Sequence, residues 1–245
     1  NCYSLDDLPV GANVPDQNGI RSGESYVVFG KASGFSSEFE LSSLLTSNGA
    51  DGSDGYIIYG IEASDESGFD VNSAGDVNGD GYDDLLIGAY NADPNGDSSG
   101  ESYVVFGKST GYIPEFELSS LQSINGGDGS NGFVLNGINE NDRSGFSIAS
   151  GGDVNGDGVD DIIIGAYLAD PNGNNSSGQT YVVFGQSSYA DTFNFSLADG
   201  GENGALPANG TFNIDVTPVD DSGPTVGDDA ATLLEGANSV INLIA

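Results

Sequence analysis

Short apolar runs separated by clusters of Gly, Asp, Asn, Ser and Pro recur along most of the chain and return at a fixed interval. The run Tyr-Val-Val-Phe-Gly begins at Tyr26, Tyr103 and Tyr181. The run Phe-Glu-Leu-Ser-Ser-Leu at 39–44 returns at 116–121, after the same interval. Self-similarity at a fixed period, here about 77 residues, is typical of repeat architectures. Residues 1–188 are therefore predicted to repeat one structural unit, with two full copies and a partial one.

Each unit is predicted to contain four short β-strands. In the best-defined copy the apolar runs lie at residues 85–90, 103–107, 133–138 and 145–150, with turn-forming residues between them. The turns at 93–96 and 170–173 are placed between the first two strands of a unit. The segments 39–44 and 116–121 fit neither the strand nor the helix period, so they are left as a strand or a single helical turn. Four strands per unit predict an all-β fold, a partial β-propeller.

The repeat stops near residue 188, and residues 189–245 have a different pattern. Segments 192–197 and 211–217 alternate apolar with polar residues, and 240–244 is a third β-like run. A second β module, incomplete at its end, is predicted here. Both chain ends resemble cuts through something longer.

Composition removes several function classes. The chain has 38 Asp and Glu against 4 Lys and Arg, a formal net charge of −34, so binding to nucleic acid or to an anionic membrane is not expected. With no His and only Cys2, Ser-His-Asp, Cys-His and zinc chemistry are excluded. A disulfide between subunits through Cys2 is a minor alternative to an ordinary thiol. No segment approaches the roughly 18 apolar residues of a membrane span, so no membrane insertion is predicted.

Two nine-residue loops, 76–84 and 153–161, contain the candidate cation-binding residues. Each places side-chain oxygens at positions 1, 3, 5 and 9, a Gly at position 6 and a backbone carbonyl at position 7. A shell of carboxylate, amide and carbonyl oxygens suits a hard cation of calcium size. Position 12 is Ile87 or Ile164 instead of a bidentate Glu, so a helix-loop-helix is not expected. The alternative is that Asp, Asn and Gly form these turns without an ion.

These residues make the two full repeats resemble FG-GAP repeats, the calcium-loop blades of the integrin α-subunit propeller and of many bacterial surface proteins. The resemblance covers about residues 1–188. It places the family's Phe-Gly at residues 67–68 and 144–145 and its Gly-Ala-Pro at 88–90 and 165–167. The calcium ligands that it implies are Asp76, Asn78, Asp80, the Tyr82 carbonyl and Asp84, and Asp153, Asn155, Asp157, the Val159 carbonyl and Asp161. The partial first copy keeps Asn1 and Asp7 but has Tyr3 in place of a carboxylate, so no working site is expected there.

The tail resembles bacterial cadherin-like repeats, which are Ig-like β-sandwich modules of large secreted adhesins. The resemblance lies in residues 193–200 and 210–221, and 228–245 is similar to an opening strand. It makes Asp220, Asp221, Asp228, Asp229 and Glu235 further calcium candidates, with a solvated acidic linker as the favoured alternative.

The expected function is a non-enzymatic, calcium-binding, extracellular structural or adhesion protein. A propeller closes with about four to eight blades, so this chain is expected either to belong to a larger secreted adhesin or to form a head-to-tail filament with its own copies by strand complementation. A cell-surface or matrix protein, or a glycan, is the other expected partner. The less favoured class is a glycan hydrolase using the pairs Asp83–Asp84 or Asp160–Asp161, whose adjacent side chains point to opposite faces of a strand.

Overall fold

A computed structural model describes residues 7–173 and 175–187 of the chain. These residues contain eleven β-strands and no α-helix. The strands are β1 (Leu8–Ala12), β2 (Glu24–Val28), β3 (Gly55–Tyr59), β4 (Asp70–Gly75), β5 (Asp84–Ala89), β6 (Glu101–Val105), β7 (Glu115–Glu117), β8 (Gly132–Asn136), β9 (Ser144–Gly152), β10 (Asp161–Ala166) and β11 (Gln179–Val183). Five 3-10 helices accompany them, Leu41–Leu44, Thr46–Asn48, Leu118–Leu121, Ser123–Asn125 and Pro171–Gly173. The all-β prediction is confirmed for these residues.

The strands form three sheets that follow the sequence repeat. Their orders are β1-β2-β3-β7, β4-β5-β6-β8 and β9-β10-β11. In the second sheet Ile87 pairs with Tyr103 and Tyr103 with Val134, both in antiparallel register. The four segments predicted for the best-defined unit all form strands with bounds close to the predicted ones, but their grouping in one sheet was wrong. Only β5, β6 and β8 lie in this sheet, because β4 pairs with β5 whereas the fourth segment, β9, pairs with β10 of the third sheet. The turn at 93–96 joins β5 to β6, and that at 170–173 joins β10 to β11, as expected.

The strand β7 does not stay in the sheet of its own repeat. It pairs in parallel with β3 of the first sheet, with Phe116 opposite Ile58. The chain then turns into the 3-10 helix Leu118–Leu121, so both alternatives left open for residues 116–121 occur in succession. In the first unit the matching residues form only the 3-10 helix Leu41–Leu44. The second repeat thus completes the edge of the first sheet.

Apolar side chains of neighbouring sheets share their cores because the strands alternate the faces to which they point. Between the first and second sheets Val27, Ile58, Ile87 and Tyr103 are buried in one cluster. Between the second and third sheets Leu86, Val104, Ile148, Ile162 and Ile164 form another. Adjacent residues Leu86 and Ile87 of β5 therefore belong to different cores, which ties the three sheets together through the middle one.

No helix in the described ranges is long and apolar enough to cross a membrane. The module predicted at 189–245, with its five acidic calcium candidates, lies outside the described residues, as do Asn1, Cys2 and Tyr3.

Replacement of Leu86 by Ala tests this core arrangement. Leu86 has no exposed surface, so the substitution should lower the free energy of unfolding by about 2–5 kcal/mol through lost burial and a residual cavity. Urea unfolding followed by circular dichroism measures the change. Ile124→Ala, at a side chain that is 89% exposed, is the control and should change the value by less than about 0.5 kcal/mol. Equal effects of the two substitutions would contradict the assignment of Leu86 to the core.

Candidate metal centre

Both predicted loops connect neighbouring antiparallel strands. Loop 76–84 joins β4 to β5, and loop 153–161 joins β9 to β10. No helix flanks either loop, which confirms that the helix-loop-helix arrangement is absent there. Gly79 and Gly81 of the first loop, like Gly156 and Gly158 of the second, have φ between +72° and +88°. This left-handed backbone is readily adopted by Gly, which explains the Gly at position 6.

The first loop curls round its own carboxylates. Asp76 accepts hydrogen bonds at Oδ1 from the amide of Asp80 (2.9 Å) and at Oδ2 from the amide of Gly81 (2.8 Å). Asn78 Oδ1 accepts from the same Asp80 amide at 2.8 Å, and Asp80 Oδ1 accepts from the amide of Tyr82 at 3.0 Å. The structure therefore brings Asp76, Asn78 and Asp80 into one turn.

Asp84 closes the first loop from the start of β5. Its side chain is only 2% exposed, and its two oxygens accept hydrogen bonds from the amides of Val77 (3.0 Å) and Gly107 (2.9 Å). Burial raises the pKa of the Asp84 carboxyl to about 7; the two amide bonds oppose this shift, and the charges of Asp80 and Asp76 add to it. A buried acid among other acids is a favourable place for a cation.

The second loop repeats the closing contact. Asp161 is fully buried and accepts from the amides of Val154 (2.8 Å) and Gly185 (2.9 Å). The candidate ligands Asp153, Asn155 and Asp157 are exposed, whereas Val159, which offers its carbonyl, is buried. Asp7, at the same position of the partial first copy, accepts from the amide of Gly30 at 2.9 Å. The closing carboxylate is thus common to all three sheets.

The donor set fits calcium in its chemistry. Each loop offers three carboxylates, one amide oxygen and one carbonyl, all hard oxygen donors, and Ca²⁺ takes six to eight such ligands in flexible geometry. Within residues 7–173 and 175–187 no three acidic, His or Cys side chains stand close enough to hold a metal ion by themselves. In this conformation backbone amides take up carboxylate oxygens that a cation would share. Asn78 and the Tyr82 carbonyl would be needed to complete the coordination of an ion in the first loop.

A second acidic concavity was not predicted from the sequence. Glu62, Asp65, Asp93 and Glu101 line a cavity of about 520 Å³. The amide of Glu62 donates to Asp65 Oδ2 at 3.2 Å, and the Tyr103 hydroxyl donates to Glu101. Burial raises the pKa of Asp65 to about 7, with the charges of Glu101, Glu62 and Asp93 adding to the shift. The sequence signal that could have pointed to Asp65 was the return of Asp at the same position of the next repeat, at Asp142. The structure shows that both residues are buried.

Comparison with known proteins agrees with the loops and the repeat. Residues 70–105 and 144–183 match the FG-GAP repeat family, and both candidate loops lie inside these segments. A stretch of 96 residues is 35% identical to integrin alpha pat-2 of Caenorhabditis elegans, and 95 residues are 34% identical to integrin alpha pat-2 of Caenorhabditis briggsae. Each match covers 39% of this chain and 7% of the relative. Two segments of the chain are therefore similar to FG-GAP repeats, and the chain spans less than a tenth of the curated relatives it matches.

Gly68 and Gly145, which follow Ser67 and Ser144 where the resemblance places a Phe-Gly motif, are required by the backbone. Gly68 and Gly145 have φ of +79° and +83°. A Cβ at Gly68 would overlap the carbonyl oxygen of Glu24, and one at Gly145 would overlap that of Glu101. Neighbouring sheets approach at these points too closely for any side chain.

The acidic cavity predicts a pH dependence of stability. Asp65 holds its proton to about pH 7 in the folded protein and to about pH 4 when unfolded, so the folded state binds more protons between these values and loses stability as pH rises. Asp65→Asn should remove about 1–2 kcal/mol of this loss, measured by urea unfolding from pH 4 to pH 8 in chelator.

Asp142→Asn is the matched control for that measurement. Asp142 occupies the same repeat position, but its repeat neighbours include Asn139 and Gln179 in place of Glu62 and Glu101. It should leave the pH dependence largely unchanged. A parallel pH profile for wild type and Asp65→Asn would refute the assignment to Asp65.

Proposed function

We propose that this protein is a non-enzymatic, calcium-stabilised extracellular adhesion module. The two FG-GAP repeats and the similarity to integrin alpha chains point to an adhesion-type protein and away from enzymes. The observation that carries the calcium proposal is that both FG-GAP segments contain the same oxygen-donor loop, each closed by a buried carboxylate, Asp84 or Asp161. The partner would be a cell-surface or matrix protein, or a glycan. A propeller containing further blades is the proposed setting of these repeats.

Calcium would act on stability rather than on a reaction. Bound in the first loop by Asp76, Asn78, Asp80, the Tyr82 carbonyl and Asp84, it would neutralise mutually repelling acids and fasten the loop to β5. The second loop would use Asp153, Asn155, Asp157, the Val159 carbonyl and Asp161. Such a role suits an extracellular setting, where modules with calcium dissociation constants of about 0.1–1 mM are filled.

The carboxylate pairs have little support as catalytic groups. Asp83 is exposed while Asp84 is buried, and Asp160 is half-buried while Asp161 is buried. Two carboxylates that flank a scissile bond must face a common cleft. The difference in burial within each pair favours a structural role.

Calcium titration tests the proposal. At free calcium a hundredfold above the dissociation constant, each filled loop should add about 2.7 kcal/mol to the free energy of unfolding. Asp80→Ala and Asp157→Ala should each remove one bound ion in calorimetric titration. Glu38→Ala, which removes an exposed acid elsewhere, should remove none. A wild-type chain that binds no calcium, even at free calcium about tenfold above the roughly 1 mM expected of weak extracellular sites, would refute the proposal.

A filament built by strand addition is the second candidate, favoured by the edge of β11. In the described residues the third sheet has no counterpart of β3 or β8. Val182 of β11 is 47% exposed, whereas Val104, its equivalent in β6, is fully buried in the cluster shared with the third sheet. An exposed strand edge beside apolar side chains can recruit a further strand from another copy.

Val182→Lys should block such assembly by placing a charge on the exposed face of the edge strand. Light scattering and electron microscopy in calcium-containing buffer would show filaments for wild type and dispersed particles for the variant. Ile113→Lys, at another exposed apolar side chain, is the control and should leave filaments intact. Dispersed wild-type particles of the 24.9 kDa expected for a single chain would exclude the filament.

A further inference from the structure

The two candidate loops are joined to each other by a pair of hydrogen bonds. The carboxylate of Asp160 accepts at Oδ2 from the amide of Asp76, 2.9 Å away, and the amide of Asp160 donates to the carbonyl of Asp76 at 3.0 Å. Asp76 is the first candidate ligand of the first loop. Asp160 stands between two candidate ligands of the second loop, the Val159 carbonyl and Asp161. The two loops therefore share one contact at ligand positions.

A second path of hydrogen bonds runs beside the first. The amide of Gln186 donates to the carbonyl of Val77 at 2.9 Å, and the preceding amide, that of Gly185, donates to Asp161 at 2.9 Å. The side chain of Asp161 also accepts from Val154 within the second loop. Each step joins directly bonded or adjacent residues, so the backbone after Asp76 is connected to the closing carboxylate of the second loop.

We propose that the two loops bind calcium with positive cooperativity and that Asp160 is the positioning residue that couples them. This inference rests on the proposed calcium function and adds a property that neither loop has alone. An ion held by the Val159 carbonyl and Asp161 would fix the backbone on both sides of Asp160. The Asp160 carboxylate would then hold the amide of Asp76, so the first loop would lose less conformational freedom when it binds its own ion.

Repulsion between two divalent ions works against this coupling. The surrounding carboxylates offset it, since each loop has four acids, three of them candidate ligands, for one ion and the chain carries a formal net charge of −34. The ordering of the first loop is therefore expected to outweigh the repulsion and to make the cooperativity positive.

Within the described residues the first loop is more buried than the second. Asn78 is buried, whereas Asn155 at the same position of the second loop is exposed. A Cβ at Gly79 would lie 3.0 Å from side-chain atoms of Val159 and Ser187. Asp83, which has the position of Asp160 in the first loop, is exposed. Asp83→Ala therefore removes the same charge at the same loop position and is the matched control.

Isothermal titration of the full chain with calcium tests the coupling. The affinity of the first loop is measured in wild type and in Asp157→Ala, where the second loop is disabled. It should fall by about fivefold or more when the second loop is empty, the low end of usual coupling between sites. In the Asp160→Ala background, Asp157→Ala should leave the affinity of the first loop unchanged. Asp160→Asn, which keeps an oxygen acceptor, and Asp83→Ala should both preserve the coupling.

The outcomes separate this inference from the calcium proposal. A wild-type chain that binds no calcium overturns both. Two ions bound with independent or mutually weakened affinities leave the calcium proposal standing and overturn the cooperativity. Coupling that survives in Asp160→Ala overturns the role of Asp160. If Asp160→Ala does not give the wild-type circular dichroism spectrum in chelator, Asp160→Val, which also lacks an oxygen acceptor and suits an extended backbone, takes its place. Coupling that survives in Asp160→Val then overturns the role of Asp160.

Discussion

A buried carboxylate that accepts hydrogen bonds from backbone amides fixes each loop to its sheet, and the rest of the structure depends on this contact. Asp84 and Asp161 each join an amide of their own loop to the amide that follows the neighbouring strand, at Gly107 and Gly185. Asp7 makes the second of these bonds to Gly30. Burying a carboxylate is costly unless its oxygens are satisfied, so the loop, the strand start and the strand end must form together. The candidate metal donors are placed as a consequence.

The large negative charge of the chain makes the surroundings of this buried carboxylate important for stability. In the described residues Arg21 pairs with Glu66 and Lys31 with Asp54, and neither pair involves the loops. Two calcium ions would change a formal net charge of −34 only to −30, so their value lies in where they neutralise charge and not in how much. An exposed acid is solvated and screened, whereas Asp84 is buried beside other acids. A cation bound there would lower this local electrostatic cost, which dissolved salt screens poorly at a buried group.

The sequence predicted what is local and repeated. Strand positions, turns and loop donors follow from residue types at fixed spacing. All four segments predicted for the best-defined unit form strands, three in the second sheet and the fourth, β9, in the third. Long-range contacts were not predictable in this way. Phe116 fits a strand only because β3 lies beside it. The contact between Asp160 and Asp76 could not be predicted either, because nothing in the sequence of its own loop shows it; Asp160 was considered only as half of a catalytic pair. Asp65 was missed because a single acid in a turn has the pattern of ordinary turn chemistry. Glu101 was missed because it is the first residue of β6, and nothing in its own strand shows that it lines the same cavity as Asp65.

The parallel pairing of β7 with β3 means that the sequence repeat and the sheet are out of phase. One sequence repeat carries most of one sheet together with the strand that finishes the sheet before it. Duplication of such a stretch would add a copy that is already fastened to its predecessor through main-chain hydrogen bonds. Growth of the array by tandem duplication would therefore leave no unfinished junction inside it, and loss of one copy would strip an edge strand from the sheet that remains.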